Sequence, residues 1–226
     1  MHSAPASEDR YLRPGVQTAV KVLIVGHFAV GKTTYVGALS EIRPLRTEEV
    51  MTEAGALVDD LAGMNDKTTT TVALDFGRLT LNDHLVLYLF GTPGQQRFTQ
   101  LWQDMTRGAL GALVLADTRR LSQSFEVMGV LEELGLPYAV ALNEFDDAPR
   151  HELREVREAL DLLPETPLVR CDARDPVSST RALISLVEYL MTLPPSRLRT
   201  SGAAHGRRGV PVRAARGPRR RPHGGP

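Results

Sequence analysis

Cysteine is almost absent from this chain: Cys171 is the only one in 226 residues. A single thiol cannot build an internal disulfide framework, which fits a reducing, cytoplasmic setting. No apolar run approaches the ~18–20 residues needed to span a bilayer. The N-terminus lacks the basic-then-apolar order of a secretory signal, and the chain has no C-terminal C-a-a-X cysteine for prenylation. The six histidines are scattered, none at metal-ligand spacing with a cysteine or carboxylate, so no zinc site is expected. Acidic residues are missing from the C-terminal region. All 27 precede Pro194, while nine of the 27 basic residues follow it, so a body of net −9 carries a tail of net +9.

The tail, 194–226, is rich in Arg, Gly and Pro and has almost no large apolar residue. It cannot bury enough surface to offset its ordering entropy and is expected to be disordered. Such a tail suits simple solvation or a weak peripheral contact with anionic lipid at the inner membrane face. With no aromatic side chain for base stacking, nucleic acid is not an expected partner. Residues 1–18 are polar, contain Pro5, Pro14 and Gly15, and read as a flexible leader. The folded body is then 19–193.

Within it, short apolar runs alternate with helical patterns. Val20–Val25, Val72–Leu79, Leu85–Phe90, Leu110–Ala116, Tyr138–Leu142 and Leu168–Cys171 read as strands, with Asn82-Asp83 as a turn between the second and third. Thr33–Ile42, Phe98–Arg107, Leu121–Leu134, Glu152–Leu162 and Ser178–Leu193 show helical spacing. The alternation predicts an α/β fold in three layers: about six strands, mostly parallel, with one antiparallel edge pair and helices on both faces. The stretch Pro44–Asp66 is longer than a compact connection needs, and its Glu48–Leu61 portion is expected to form an amphipathic helix.

The most informative segment is Gly26–Thr33, G-H-F-A-V-G-K-T, directly after the first strand. This strand-then-loop context marks a phosphate-binding P-loop NTPase. Gly26, His27, Phe28, Ala29, Val30 and Gly31 turn their backbone N–H groups around the phosphates of a nucleotide. Lys32 reaches the β- and γ-phosphate oxygens, and the Thr33 hydroxyl is a ligand for Mg²⁺. Thr34 follows on the first helical turn, whose positive dipole end faces the same phosphates.

Four further segments, in order, give the chain a family likeness. They are Lys67–Arg78 (K-T-T-T-T-V-A-L-D-F-G-R), Phe90–Phe98 (F-G-T-P-G-Q-Q-R-F), Asn143–Asp146 (N-E-F-D) and Cys171–Arg174 (C-D-A-R). Over about residues 20–193 the sequence resembles the Ras-like small GTPases, and among them the GTPases of actinobacterial conservons, relatives of the gliding-motility GTPase. The resemblance makes 19–193 a small G-protein domain that binds GTP or GDP with Mg²⁺. It implies that Thr71 closes over Mg²⁺ and the γ-phosphate, with Thr70 as competitor. It implies that Gly94 donates to the γ-phosphate and that Gln95 orients the attacking water. Asn143 and Asp146 would read guanine, Asp146 by accepting from N1 and the exocyclic amine. Asp172, Ala173 and Arg174 would complete the base site, with the Ala173 N–H on the guanine oxygen and Arg174 over the base.

Two positions depart from the family pattern. Gly91 stands where most members carry an Mg²⁺-holding aspartate, and Glu144 replaces the lysine that lies along the purine. Asp75 looks badly placed to compensate for Gly91, and Asp117 looks better placed. Arg43, Arg46, Arg78 and Arg97 are each candidates for a positive charge on the γ-phosphate. The function implied is a slowly hydrolysing GTP switch in bacterial signalling, with a roadblock-type protein and a sensor-kinase complex as partners. A scaffold that binds nucleotide without turnover is the alternative, favoured by Gly91 and Glu144. An ATP-specific enzyme is a third, opposed by Asp146.

Overall fold

The computed structural model describes residues 18–49, 72–92 and 104–197. Its centre is a seven-stranded sheet in the order β2-β3-β4-β1-β5-β6-β7. The strands are β1 (Thr18–Val25), β2 (Leu45–Glu49), β3 (Val72–Thr80), β4 (Leu85–Gly91), β5 (Ala109–Ala116), β6 (Tyr138–Asn143) and β7 (Leu168–Cys171). From β4 to β7 all pairs are parallel, whereas β2, β3 and β4 form an antiparallel ladder at one edge. The expected mostly parallel α/β architecture therefore holds, with one strand more than the apolar runs indicate. Strand β2 overlaps the start of the expected Glu48–Leu61 helix: Glu48 and Glu49 pair with Ala73 and Val72. The open edge of β3 offers a ladder of N–H and C=O groups, and satisfying it outweighs a local helical preference. The rest of that expected helix lies outside the described residues.

Side chains alternate across β1 and explain its continuous apolar run. Val22 and Ile24 face one layer, built from α1 (Lys32–Leu39) and α4 (Pro176–Thr192) through Tyr35, Val36, Leu183, Leu186 and Leu190. Leu23 and Val25 face the other layer, built from α2 (Ser124–Glu133) and α3 (Leu153–Ala159) through Met128, Leu131 and Val156. Both faces are dry, so no strand position needs a polar residue.

Helix ends follow local chemistry. Where a helix is predicted over 121–134, the α-helix starts only at Ser124, after a 3-10 stretch, Thr118–Gln123, which Asp117 caps by accepting from the Arg119 N–H. Asp175 caps α4 the same way, through the N–H groups of Val177 and Ser178, with Pro176 at the first helical position. At the far end of α3, Asp161 turns left-handed (φ 50°) and stops the helix three residues early. Among the described residues no helix is long and apolar enough to cross a membrane.

Candidate functional site

The carboxyl ends of β1, β4, β5 and β6 meet along one rim of the sheet, and the loop after β1 lies there. Gly26 (φ 144°) and Gly31 (φ 103°) adopt backbone conformations that L side chains rarely take. A Cβ on Gly26 would sit 2.5 Å from the Leu115 carbonyl oxygen, and one on Gly31 would sit 2.6 Å from Asn143 Nδ2. The loop thus needs glycine at both places. Val30 is its buried anchor, while Phe28 stands 68 % exposed.

Lys32 Nζ is turned back into the loop, donating to the carbonyl oxygens of Gly26 and His27 at 2.8 Å each. Burial pushes its ammonium pKa down to about 8, and the nearby Asp75 carboxylate opposes that shift. The N-cap of α1 is Gly31, with no side-chain cap and no acidic residue in the first turn. Uncapped N–H groups and a buried cation together make an anion site. His27 is buried beside them, its Nδ1 donating to the Phe28 carbonyl at 2.7 Å. Burial lowers its pKa, so the ring is neutral, and Nε2 has no hydrogen-bond partner among the described residues. Thr34 is exposed on the outer side of the same turn.

The surroundings of Thr33 correct the sequence expectation. Asp75 is well placed, not badly: its Oδ2 accepts a 2.5 Å hydrogen bond from the Thr33 hydroxyl. Antiparallel pairing is the reason, because it sets Asp75, near the start of β3, directly opposite Gly91 at the end of β4. A Cβ on Gly91 would come within 3.0 Å of Asp75 Cβ and 3.2 Å of its Oδ2. The carboxylate fills the space that a side chain at 91 would enter. It is 5 % exposed. Asp117, the expected substitute, is engaged elsewhere: Arg119 donates to it through its backbone N–H, Nε and one terminal nitrogen at 2.8–3.1 Å. Burial pushes the Asp117 pKa up, but these contacts outweigh it and hold the carboxyl below its usual range.

Arg78 is also removed from the phosphates. It is buried, its backbone N–H donates to Ser40 Oγ just past the far end of α1, and its guanidinium lies 4.0 Å from Glu41. An eight-residue helix separates the two places, about 12 Å. Thr70, Thr71, Gly94, Gln95 and Arg97, and the side chain of Arg46, lie outside the described residues.

Asn143, the last residue of β6, joins the loop after β1 to the loop after β7. Its Nδ2 donates to the Val30 carbonyl at 2.9 Å, and its Oδ1 accepts from the Ala173 N–H at 2.9 Å. The side chain is buried. The Ala173 N–H, expected on the base, is therefore engaged by Asn143. Beyond Asn143 the surroundings become wet. Asp146 is 86 % exposed and accepts both terminal nitrogens of Arg174, 3.0 Å to each oxygen. Arg174 also grips Asp172 at 2.9 Å through Nε and one terminal nitrogen, and its own backbone N–H donates there. These contacts hold both carboxyls below the usual range. Glu144 is turned to Arg170 at 3.1 Å.

A glycine-turned loop after a parallel strand, a buried lysine, a threonine at the helix start and a carboxylate beside it define a P-loop nucleotide-binding protein. The fold agrees: the chain resembles the G domain of the T. maritima FeoB iron transporter with a TM-score of 0.53 at 18 % identity, covering 76 % of this chain and 99 % of that one. The chain belongs to the family described as conserved hypothetical ATP binding protein, which matches residues 24–193. A relative in Methanocaldococcus jannaschii, itself an uncharacterized protein, is 31 % identical over 129 residues, 56 % of this chain and 71 % of the relative.

Proposed function

We propose that this protein is a guanine-nucleotide switch that hydrolyses GTP slowly in the presence of Mg²⁺. The observation that carries this reading is the carboxylate of Asp146, whose two oxygens receive a pair of parallel N–H donors, here from Arg174. Guanine offers such a pair at N1 and the exocyclic amine, and adenine does not. A site built to accept those donors discriminates strongly against a base that lacks them. The family description names ATP, and that is the competing reading. The affinities for GTP and ATP, measured with the parent protein and Asp146→Asn, decide between them. Loss of GTP binding with ATP unaffected supports guanine; equal affinities in the parent protein reject it.

The chemistry asked of the chain is positioning and charge stabilisation. Lys32 exchanges two loop carbonyls for phosphate oxygens, and α1 directs its free N–H groups at the same charge. Thr33 and Asp75 present the hard oxygen donors that Mg²⁺ prefers, the carboxylate acting directly or through water. Mg²⁺ held by Thr33 and Asp75 would supply positive charge to the phosphates of the nucleotide. By the family resemblance, Thr71 closes over the γ-phosphate and Gln95 orients water. Arg78 is drawn to Ser40 and Glu41 at the far end of α1, and slow turnover raised by a partner is the reading that the family resemblance supports. The same resemblance supports a roadblock-type protein, within a sensor-kinase complex, as that partner. Gly91 and Glu144 favour a scaffold without turnover, and Asp75 beside Thr33 weakens the Gly91 part of that argument. Phosphate release from bound radiolabelled GTP separates the two: slow conversion to GDP supports the switch, and permanently intact GTP supports the scaffold.

A further inference from the structure

We propose that Arg174 is a built-in competitor for the base: its guanidinium takes both oxygens of the carboxylate that reads guanine, and nucleotide must displace it to bind. The inference rests on the guanine reading of Asp146. A guanidinium fork and the guanine edge present the same chemistry, two N–H donors on nitrogens bonded to one carbon. Arg174 places one donor on each oxygen of Asp146, both at 3.0 Å. That arrangement uses both faces a bidentate partner requires, so fork and base cannot be accepted together in this geometry.

The arginine also has somewhere to stay when displaced. Asp172 accepts its Nε, a terminal nitrogen and its backbone N–H, all at 2.9 Å, and none of these contacts involves Asp146. Releasing Asp146 therefore leaves the guanidinium charge paired. Both partners of the competing bond are largely exposed, 56 % and 86 %, so the bond is modest and sensitive to salt. A modest competitor suits a site that must exchange nucleotide: it covers the empty carboxylate without preventing loading.

The sequence expectation that Arg174 covers the bound base makes a different kinetic prediction, and the two separate cleanly. Nucleotide-free protein is mixed with the fluorescent analogue mant-GDP, and association and dissociation rates are measured for the parent, Arg174→Ala and Arg174→Lys. A competitor slows entry only. Arg174→Ala should then associate about two- to five-fold faster, the range an exposed ion pair allows, with dissociation unchanged. Arg174→Lys keeps the charge without the fork and should fall between. Raising salt from 0.1 to 1 M shortens the screening length from about 10 to about 3 Å and should close the gap between parent and Arg174→Ala. Unchanged or slower association, or faster dissociation, overturns the proposal and makes Arg174 a cover or a tie between loops. Asp146→Asn tells the two levels apart. If it leaves the preference for mant-GDP over mant-ADP intact, the guanine reading fails. If that preference is lost while Arg174→Ala associates no faster, only the competitor fails.

Discussion

The two ends of the site are built differently. At the phosphate end Lys32, Asp75 and Asn143 are buried, and their hydrogen bonds reach loop carbonyls, a loop N–H or a helix hydroxyl. At the base end Asp146, Asp172 and Arg174 form a salt-bridge triad open to solvent. Buried polar groups are costly to leave unpaired, so the phosphate end is set by folding itself. An exposed triad contributes little to stability and can be rearranged at small cost. On the proposed reading, the generic part of nucleotide binding is tied to the core and the selective part stands outside it.

The comparison breaks first at Lys32. Lys32→Ala should weaken GTP and ATP binding alike, by about a hundredfold or more, because the phosphates lose a buried charge partner. Equilibrium titration with both nucleotides checks this, and circular dichroism confirms the fold. A loss confined to GTP would mean that the two ends are not separable.

Next comes the carboxylate that has changed strands. Asp75→Ala should weaken the Mg²⁺ affinity of the GTP-bound protein by about 10–100-fold, as loss of a group orienting a metal site does. Gly91→Asp alone should not improve on the parent, since its Cβ would meet the Asp75 side chain at 3.0 Å and set two carboxylates together. The double variant Asp75→Ala/Gly91→Asp should recover most of the Mg²⁺ affinity. An Mg²⁺ titration in which Asp75→Ala behaves like the parent would show that the metal is held another way.

Asn143→Ala tests the joint between the ends. It leaves the Val30 carbonyl and the Ala173 N–H without their side-chain partner in a buried setting. The expected cost is about 2–4 kcal/mol, or a fall in Tm of roughly 5–15 °C for a domain of this size. A melt within a degree of the parent would mean that the two loops stand without it.

What the sequence made legible follows the same division by range. The strands showed because both faces of the sheet are dry, so Val22–Val25 and Leu113–Ala116 are apolar throughout. The phosphate loop showed because the φ values and close approaches at positions 26 and 31 demand glycine at that fixed spacing. Asp75 was misjudged because its place depends on the register that pairs it with Gly91, 16 positions away. Its one local signal was a carboxylate inside an apolar strand, A-L-D-F. Strand β2 escaped because R-T-E-E has no apolar alternation; its partner β3 defines it. The grip of Arg174 on Asp146 spans 28 residues, and no pattern in either loop announces it.

The smallest effect lies where the two ends meet. Cys171 ends β7 fully buried, and its neighbour Asp172 already belongs to the exposed triad. Burial pushes the Cys171 thiol from 9.0 up to about 11. The folded state therefore holds a proton that the unfolded chain releases first. The thiol's contribution to stability is complete below about pH 9 and is lost as pH rises through about 11. Lysines and tyrosines titrate in the same window, so the quantity to measure is the difference in denaturant midpoint between the parent and Cys171→Ala. That difference should be constant up to pH 9 and move in favour of Cys171→Ala above it. Iodoacetamide should leave the native thiol unmodified at pH 8 and label it only on unfolding. Rapid native labelling, or a flat midpoint difference, would place the boundary between dry core and wet triad at least one residue further inside than the structure puts it.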